Sequence, residues 1–391
     1  MRPRVLFCWG YHREGWIRPF EALRDDLEAH YLFYRSRDEE ETPKTDAPKH
    51  YWFDHRSATS VLDAVQPDRI VFMALDGAWA IALNVAARRR GVPTFIIQHG
   101  HVEIGSDQAK VGLKDAVTGG SQRRALAFLV RSMIGSPGQL TETIRFLYAA
   151  RRYGAGEAAS RYSFPARIPD HYVMFSPESA RMRQQIDGVD LSQIACIGVP
   201  EYDDIFSRVT PGNPTSGSLL LLDSPNAENR WNAITTTKEE KARFLALLAG
   251  SAAQLALPLR VKLHPETYGA HWLPALPNTT YVEDGDIAAE LQASALCVGF
   301  DSMLMVPAVW LRPTVLVRLR PSRLVDAAER SAAAIVLTSL DDIDEGVLQR
   351  ASSELGERLD QRRNFVREFA SSTDGGAIER LRKLLADPGT A

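Results

Sequence analysis

The chain has 391 residues, 45% of them hydrophobic and 24% charged, with a net charge of −3. That balance belongs to a globular protein of about two domains and excludes a bulk electrostatic claim on nucleic acid. Three scattered cysteines, Cys8, Cys196 and Cys297, lack metal-ligand spacing and fit a reducing cytoplasm, and no apolar run is long enough to span a membrane. The N-terminal MRPRVLFCWG is basic, but its apolar run is too short for a secretion signal.

Apolar runs alternate with amphipathic segments along the chain. Arg4–Trp9 (RVLFCW) predicts a first strand, followed by a helix near Ile17–Glu28. Arg69–Leu75 predicts a second strand, broken by Asp76-Gly77. Ala78–Arg90 then predicts a helix, with three arginines in its last turn and Gly91 just beyond, the pattern of a helix stop. Thr94–Gln98 is the next strand. Strand, helix and strand at this spacing read as a parallel βαβ unit, whose ligands bind at the C-terminal strand ends. Asp76 and His99 both stand at such ends.

Residues 106–165 lack strand signals and carry basic amphipathic pieces, Gln122–Ile134 and Thr141–Tyr153. A basic amphipathic segment suits an anionic bilayer surface; solvated arginines on ordinary helices are the alternative. The α/β pattern then resumes at Tyr172–Phe175, Ile194–Gly198, Ser218–Leu222, Leu259–Leu263, Thr280–Val282, Ala295–Gly299 and Thr314–Val317, with a helix over Thr237–Ala253 and another over Met303–Leu311. The expected organisation is an α/β domain over residues 1–165 with a basic helical insert at about 106–165. A second α/β domain over 166–375 and a C-terminal helix and tail over 376–391 complete it.

Polar groups again follow the strands: Asp223 and Ser224 after Ser218–Leu222, His264 and Pro265 after Leu259–Leu263, Glu283 and Asp284 after Tyr281-Val282, Asp301 and Ser302 after Ala295–Phe300. Each has a plain reading too. His99 could be a satisfied core histidine, and His264-Pro265 a strand terminator. Ser302 could be a helix cap, and the acidic loop a solvated turn. Their shared placement at strand ends favours a site. A phosphate cradle is expected from His264 and the helix start at Ser302, and a ribose or base loop from Glu283 and Asp284.

Five segments in this order carry a family resemblance: GVPTFIIQHG (91–100), IACIGVPEYDDI (194–205), VKLHPE (261–266), YVEDGDIAAEL (281–291) and VGFDSMLMVPAVWLRPTVLV (298–317). They resemble the GT-B class of sugar-nucleotide enzymes. They are most like bacterial surface-polysaccharide glycosyltransferases, with sialyl- and Kdo-transferases and CDP-glycerol phosphotransferases as relatives. The resemblance spans about residues 69–317. It implies a GT-B-like fold of two Rossmann-like domains facing across a cleft, with His264 and Ser302 on the donor phosphates, Glu283 and Asp284 on base or ribose, and His99 on the acceptor side. HVEIG (101–105) is similar to a stretch of UDP-N-acetylglucosamine 2-epimerase. The diglycine and paired acids that follow Asp-Ser in that family are absent after Asp301-Ser302.

The resulting expectation is a cytoplasmic glycosyltransferase, on the inner face of a membrane. It moves a sugar from a CMP- or UDP-linked donor to a hydroxyl of a surface glycan or lipid-linked acceptor, with no cofactor, no metal and no nucleic acid. His99, Asp76 and Glu103, in that order, are the candidates for the base. A CDP-glycerol-type phosphotransferase, a 2-epimerase and a non-catalytic nucleotide-sugar-binding protein are the alternatives.

Overall fold

A computed structural model describes residues 2–9, 14–33, 45–100, 120–154, 157–158, 161–162, 164–212, 214, 216–227 and 235–386. The chain divides into two compact units, Met1–Glu201 with Gly376–Ala391, and Tyr202–Gly375.

The first unit holds β1 (Arg4–Trp9), α1 (Glu14–Glu21), β2 (Glu28–Phe33), β3 (Lys49–Tyr51), α2 (Ala58–Val65), β4 (Arg69–Phe72), α3 (Ala78–Arg89), β5 (Thr94–Ile97), α4 (Gly120–Met133), α5 (Pro137–Tyr153), β6 (His171–Met174), α6 (Pro177–Asp187) and β7 (Ile194–Cys196). Its strands pair in parallel in the order β3-β2-β1-β4-β5-β6-β7. Helices cover parallel strands on both faces, so these strands are continuous apolar runs, and Val5–Trp9 and Thr94–Ile97 are buried throughout. The helix expected to run to Glu28 ends at Glu21, and Glu28–Phe33 is instead the strand beside β1.

The sequence-based boundary at residue 165 moves. β6 hydrogen-bonds onto β5 and β7 onto β6, which places residues 166–201 in the first unit. Nor are α4 and α5 an appendage there. Phe128, Leu129, Met133 and Phe146 enter the same core cluster as α2 and α3. The C-terminal helix Ala377–Ala386 also belongs to this unit. It buries Leu381, Leu384 and Leu385 beside β1 and β2, and Arg380 Nε donates to the Ile197 carbonyl at 2.7 Å.

The second unit holds α7 (Asp203–Arg208), β8 (Ser218–Leu222), α8 (Lys238–Gln254), β9 (Leu259–Lys262), β10 (Thr279–Val282), α9 (Ile287–Ala293), β11 (Ser294–Gly299), α10 (Met305–Leu311), β12 (Thr314–Val317), α11 (Arg323–Arg330), β13 (Ile335–Leu337), α12 (Glu345–Gly356) and α13 (Leu359–Ala370). Its sheet is also parallel, in the order β10-β9-β8-β11-β12-β13. Fully buried Arg362 donates to the carbonyls of Val309 (2.8 Å), Trp310 (2.7 Å) and Leu355 (3.3 Å), satisfying helix-end acceptors that would otherwise be orphaned in the core. In both sheets the strand order reverses at a switch point, between β1 and β4 in the first unit and between β8 and β11 in the second. Doubly wound folds bind ligands there, beyond the C-terminal strand ends.

Gly217, which leads into β8, has φ +140, and a Cβ on it would lie 2.6 Å from the Ala293 carbonyl oxygen and 3.0 Å from the Ala295 nitrogen. Both obstacles are backbone, so side-chain repacking cannot relieve them. Gly217→Ala is expected to destabilise the protein by about 2 kcal/mol, read as a lowered denaturation midpoint.

Candidate functional site

The C-terminal edge of the second sheet gathers all eight residues expected on the donor side. Glu283 and Asp284 follow β10, His264 and Pro265 follow β9, Asp223 and Ser224 follow β8, and Asp301 and Ser302 follow β11. Four neighbouring strands span three steps of about 4.8 Å, about 14 Å in all, the scale of a nucleoside diphosphate.

His264 caps the short turn Pro265–Thr267. Its Nδ1 accepts from the Glu266 N–H at 3.2 Å, so the neutral ring carries its proton on Nε2. A ring held in that tautomer is a hydrogen-bond donor at Nε2, the chemistry a phosphate oxygen needs. Pro265 occupies the first turn position, where its missing N–H costs nothing. The terminator reading and the site reading of His264-Pro265 are therefore compatible.

Asp223 has an inward role. Its Oδ2 accepts from the His264 N–H (3.2 Å) and the Thr267 hydroxyl (2.9 Å), and its Oδ1 lies 2.8 Å from the Lys241 ammonium. Lys241, on α8, is 3% exposed; it also donates to the Ser224 carbonyl at 3.0 Å and sits over the Trp272 ring. Asp223 thus fastens the loops after β8 and β9 to one another, and the ion pair ties them to α8. Removing one member leaves a buried charge, so Lys241→Met is expected to cost about 3 kcal/mol in urea unfolding. The Asp223→Asn/Lys241→Met double variant is expected to lose less than the sum of the singles; simple additivity would break the assignment.

The acidic loop is braced as well. Glu283 Oε1 accepts from the Gly269 N–H at 2.8 Å, its carbonyl accepts from Lys262 Nζ and the Tyr268 hydroxyl, and Asp284 Oδ1 accepts from the same hydroxyl at 3.4 Å. Burial lowers the Lys262 ammonium from its ordinary range, while Asp284 and other nearby carboxylates oppose that. Burial also raises the Tyr268 phenol. The loop borders an open groove of about 620 Å³, floored by Leu263, Leu273 and Tyr281 and rimmed by Glu283 and Asp284. An apolar floor with carboxylates at its rim suits a flat ring carrying hydroxyls.

Ser302 is not the side-chain cap expected of it. α10 begins at Met305 after Leu304, with no side-chain cap, and only the Ser302 carbonyl contributes, accepting from the Met305 N–H at 2.9 Å. Asp301 pairs with Arg320, Oδ2 to Nη2 at 3.3 Å. Arg320 was not among the expected site residues, although RLRP (318–321) directly follows the apolar β12 run and is the same strand-end signal.

In the first unit, His99 stands two residues beyond the end of β5 and lines a small pocket with Trp9, Phe20, Met73, Phe175 and Glu201. Trp9 and Met73 come from the ends of β1 and β4, so the pocket lies at the switch point. Gln98 holds it in shape: its Nε2 donates to the Gly100 carbonyl (2.9 Å) and its Oε1 accepts from the Phe175 N–H (2.8 Å). Gly100 has φ +66, which glycine adopts without strain. His99 itself is exposed, unlike a core histidine. Asp76 stands before α3, outside the pocket lining. The protein around Asp76 pulls its carboxyl upward against Arg167 and Arg183, but the side chain reaches solvent, which screens the effect. Glu103 lies outside the described residues. Glu201, unmarked in the sequence reading, shares the His99 pocket. Among the described residues no group of three or more His, Cys, Asp or Glu is placed to hold a metal ion.

Two Rossmann-like units in one chain, each with polar groups at its switch point, define the fold of GT-B glycosyltransferases and UDP-N-acetylglucosamine 2-epimerase, and solved structures share it. The glycotransferase of kitacinnamycin matches with a TM-score of 0.53 at 14% identity, covering 98% of this chain and 100% of its own. A putative UDP-N-acetylglucosamine 2-epimerase from Listeria monocytogenes matches at 0.54 and 13%, covering 100% and 97%. The wall teichoic acid polymerase TagF matches at 0.54 and 13%, covering 98% and 88%. No family model matches the chain. No curated protein matches it either.

Proposed function

We propose that the chain is a glycosyltransferase that moves a sugar from a CMP- or UDP-linked donor to a hydroxyl of a bacterial surface glycan or glycolipid, without a cofactor or a metal, at the cytoplasmic side of a membrane. The observation that carries this is the donor edge of the second unit, where a histidine fixed as an Nε2–H donor stands beside a braced acidic loop and an apolar groove. In this reading the base or ribose occupies the groove beside Glu283 and Asp284, and the phosphates face His264 and the Asp301–Arg320 pair. The acceptor oxygen attacks the sugar carbon. The bond from that carbon to the phosphate oxygen breaks, and the electron pair leaves with the nucleotide, where the His264 N–H stabilises the charge. The proton of the acceptor hydroxyl goes to a base, for which His99 is the first candidate and Asp76 and Glu103 follow.

The likeness to TagF supports a phosphotransferase that uses the same donor edge, and the likeness to the epimerase supports a reaction without an acceptor. The residues favour transfer over epimerisation, because Met303 and Leu304 follow Asp301-Ser302 where that family places its diglycine. Thermal-shift titration with CMP, CDP, UDP and GDP and their sugars identifies the donor. Free nucleotide released only when an acceptor is present supports transfer. Interconversion of nucleotide sugars without an acceptor would establish an epimerase, and binding without turnover a non-catalytic binder.

A further inference from the structure

We propose that α4 and α5 form a docking face for an anionic lipid bilayer. An amphipathic helix in a globular unit ordinarily buries one apolar stripe and shows polar residues on the rest of its surface. These two helices do bury one stripe, through Phe128, Leu129 and Met133 on α4 and Phe146 and Ala149 on α5. They also present a second stripe to solvent. Leu126 (50% exposed), Val130 (39%) and Ile134 (73%) follow one another at four-residue intervals along α4 and its end, and Ile144 (45%) and Tyr148 (64%) do so on α5. Of the ten exposed large hydrophobics among the described residues, six lie between residues 126 and 153. That concentration separates this surface from the scattered exposure normal elsewhere.

Charge selects the occupant. Residues 120–154 carry six arginines and one acid, Glu142, in a chain whose net charge is −3. Arg123 lies one turn before Leu126, Arg131 beside Val130, Arg145 beside Ile144 and Arg152 one turn after Tyr148, so cations flank both stripes. Arg123, Arg131 and Arg145 are exposed. Arg124 is used internally, over the Phe53 ring. A polyanion in water would engage the arginines but leave Ile134 and Tyr148 wet. A bilayer surface with anionic headgroups engages both, with the apolar side chains entering the headgroup boundary and the guanidiniums on the lipid phosphates. No helix among the described residues is long and apolar enough to cross a membrane, so the contact is in the plane of the surface. The proposal rests on the transferase reading only in making a lipid-linked acceptor reachable; lipid binding itself requires no turnover.

The test is co-sedimentation of the full chain with vesicles of phosphatidylcholine alone and of phosphatidylcholine with phosphatidylglycerol, at low and high salt. Binding confined to the anionic vesicles and weakened by salt is expected. Each arginine near such a surface is worth about fivefold in partitioning, so R123E/R131E/R145E is expected to lower it by about 100-fold or more. I134S/Y148S is expected to lower binding at either salt level, with an unchanged circular dichroism melt. No binding, or equal binding to both kinds of vesicle, overturns the proposal. So does a dimer in sedimentation equilibrium that I134S/Y148S dissociates, because the face would then belong to a second copy of the chain. Loss of sugar transfer with vesicle binding intact would count against the transferase reading alone.

Discussion

His264→Ala is expected to lower turnover by about 10²–10³, the loss typical when one preorganised donor to a developing anion is removed. The structure allows a sharper form of the experiment, because the two ring nitrogens have separate tasks. Nδ1 accepts from the Glu266 N–H and holds the turn; the proton sits on Nε2. An asparagine places its amide oxygen near the position of Nδ1, and a glutamine places its amide nitrogen near that of Nε2. If the Nε2–H stabilises the leaving phosphate, His264→Gln should retain more activity than His264→Asn. If shaping the turn is the whole role, the order reverses, and the donor assignment fails. Unfolding midpoints of the three variants show whether a loss of activity is a loss of fold.

The parts of the fold that sequence made legible were short but homogeneous. RVLFCW, SLLLL and TVLV are uninterrupted apolar runs, and only a strand buried on both faces accounts for such short ones. The strand EAHYLF was hidden because His30 and Tyr31 dilute its apolar pattern and because α1 ends just upstream without a strong stop signal. Three-residue β3 and β13 are too short to show any periodicity. The misplaced boundary has a different cause. Strands of two successive parallel sheets read alike, and nothing in YVMF or IACIG tells which sheet will accept its hydrogen bonds.

The site was legible as a set of strand ends and illegible as a network. Lys241 belongs to the segment KEEK, which reads as a solvated charge run at a helix start. Its burial follows only from Asp223, eighteen residues earlier in the chain, arriving at the end of β8 to meet it. Gln98 and Ser302 show the converse. Gln98 reads only as the end of a strand run and holds the pocket; Ser302 could cap a helix, and its side chain caps nothing. Partners distant in sequence decide such roles, and spacing within one strand end does not encode them.

His99→Ala is expected to lower turnover by about 10²–10⁴ while leaving donor affinity nearly unchanged, the effect of removing acid–base assistance. The reason is the division of groups between the two units. All eight donor-side candidates follow strands of the second sheet, whereas His99 follows a strand of the first. Its pocket is built to hold it: Gln98 ties the segment to Phe175, and Trp9 and Met73 form apolar walls. Glu201 shares that pocket, and a carboxylate near an imidazole favours the protonated ring that forms when a base takes up a proton. Glu201→Gln should therefore lower turnover in the same direction as His99→Ala, and by less. Calorimetric donor affinity measured beside turnover with the true acceptor decides between the roles. Equal losses in both would make His99 a donor ligand. No loss in either would make it an exposed strand-end residue, and the search for the base would pass to Asp76 and then Glu103.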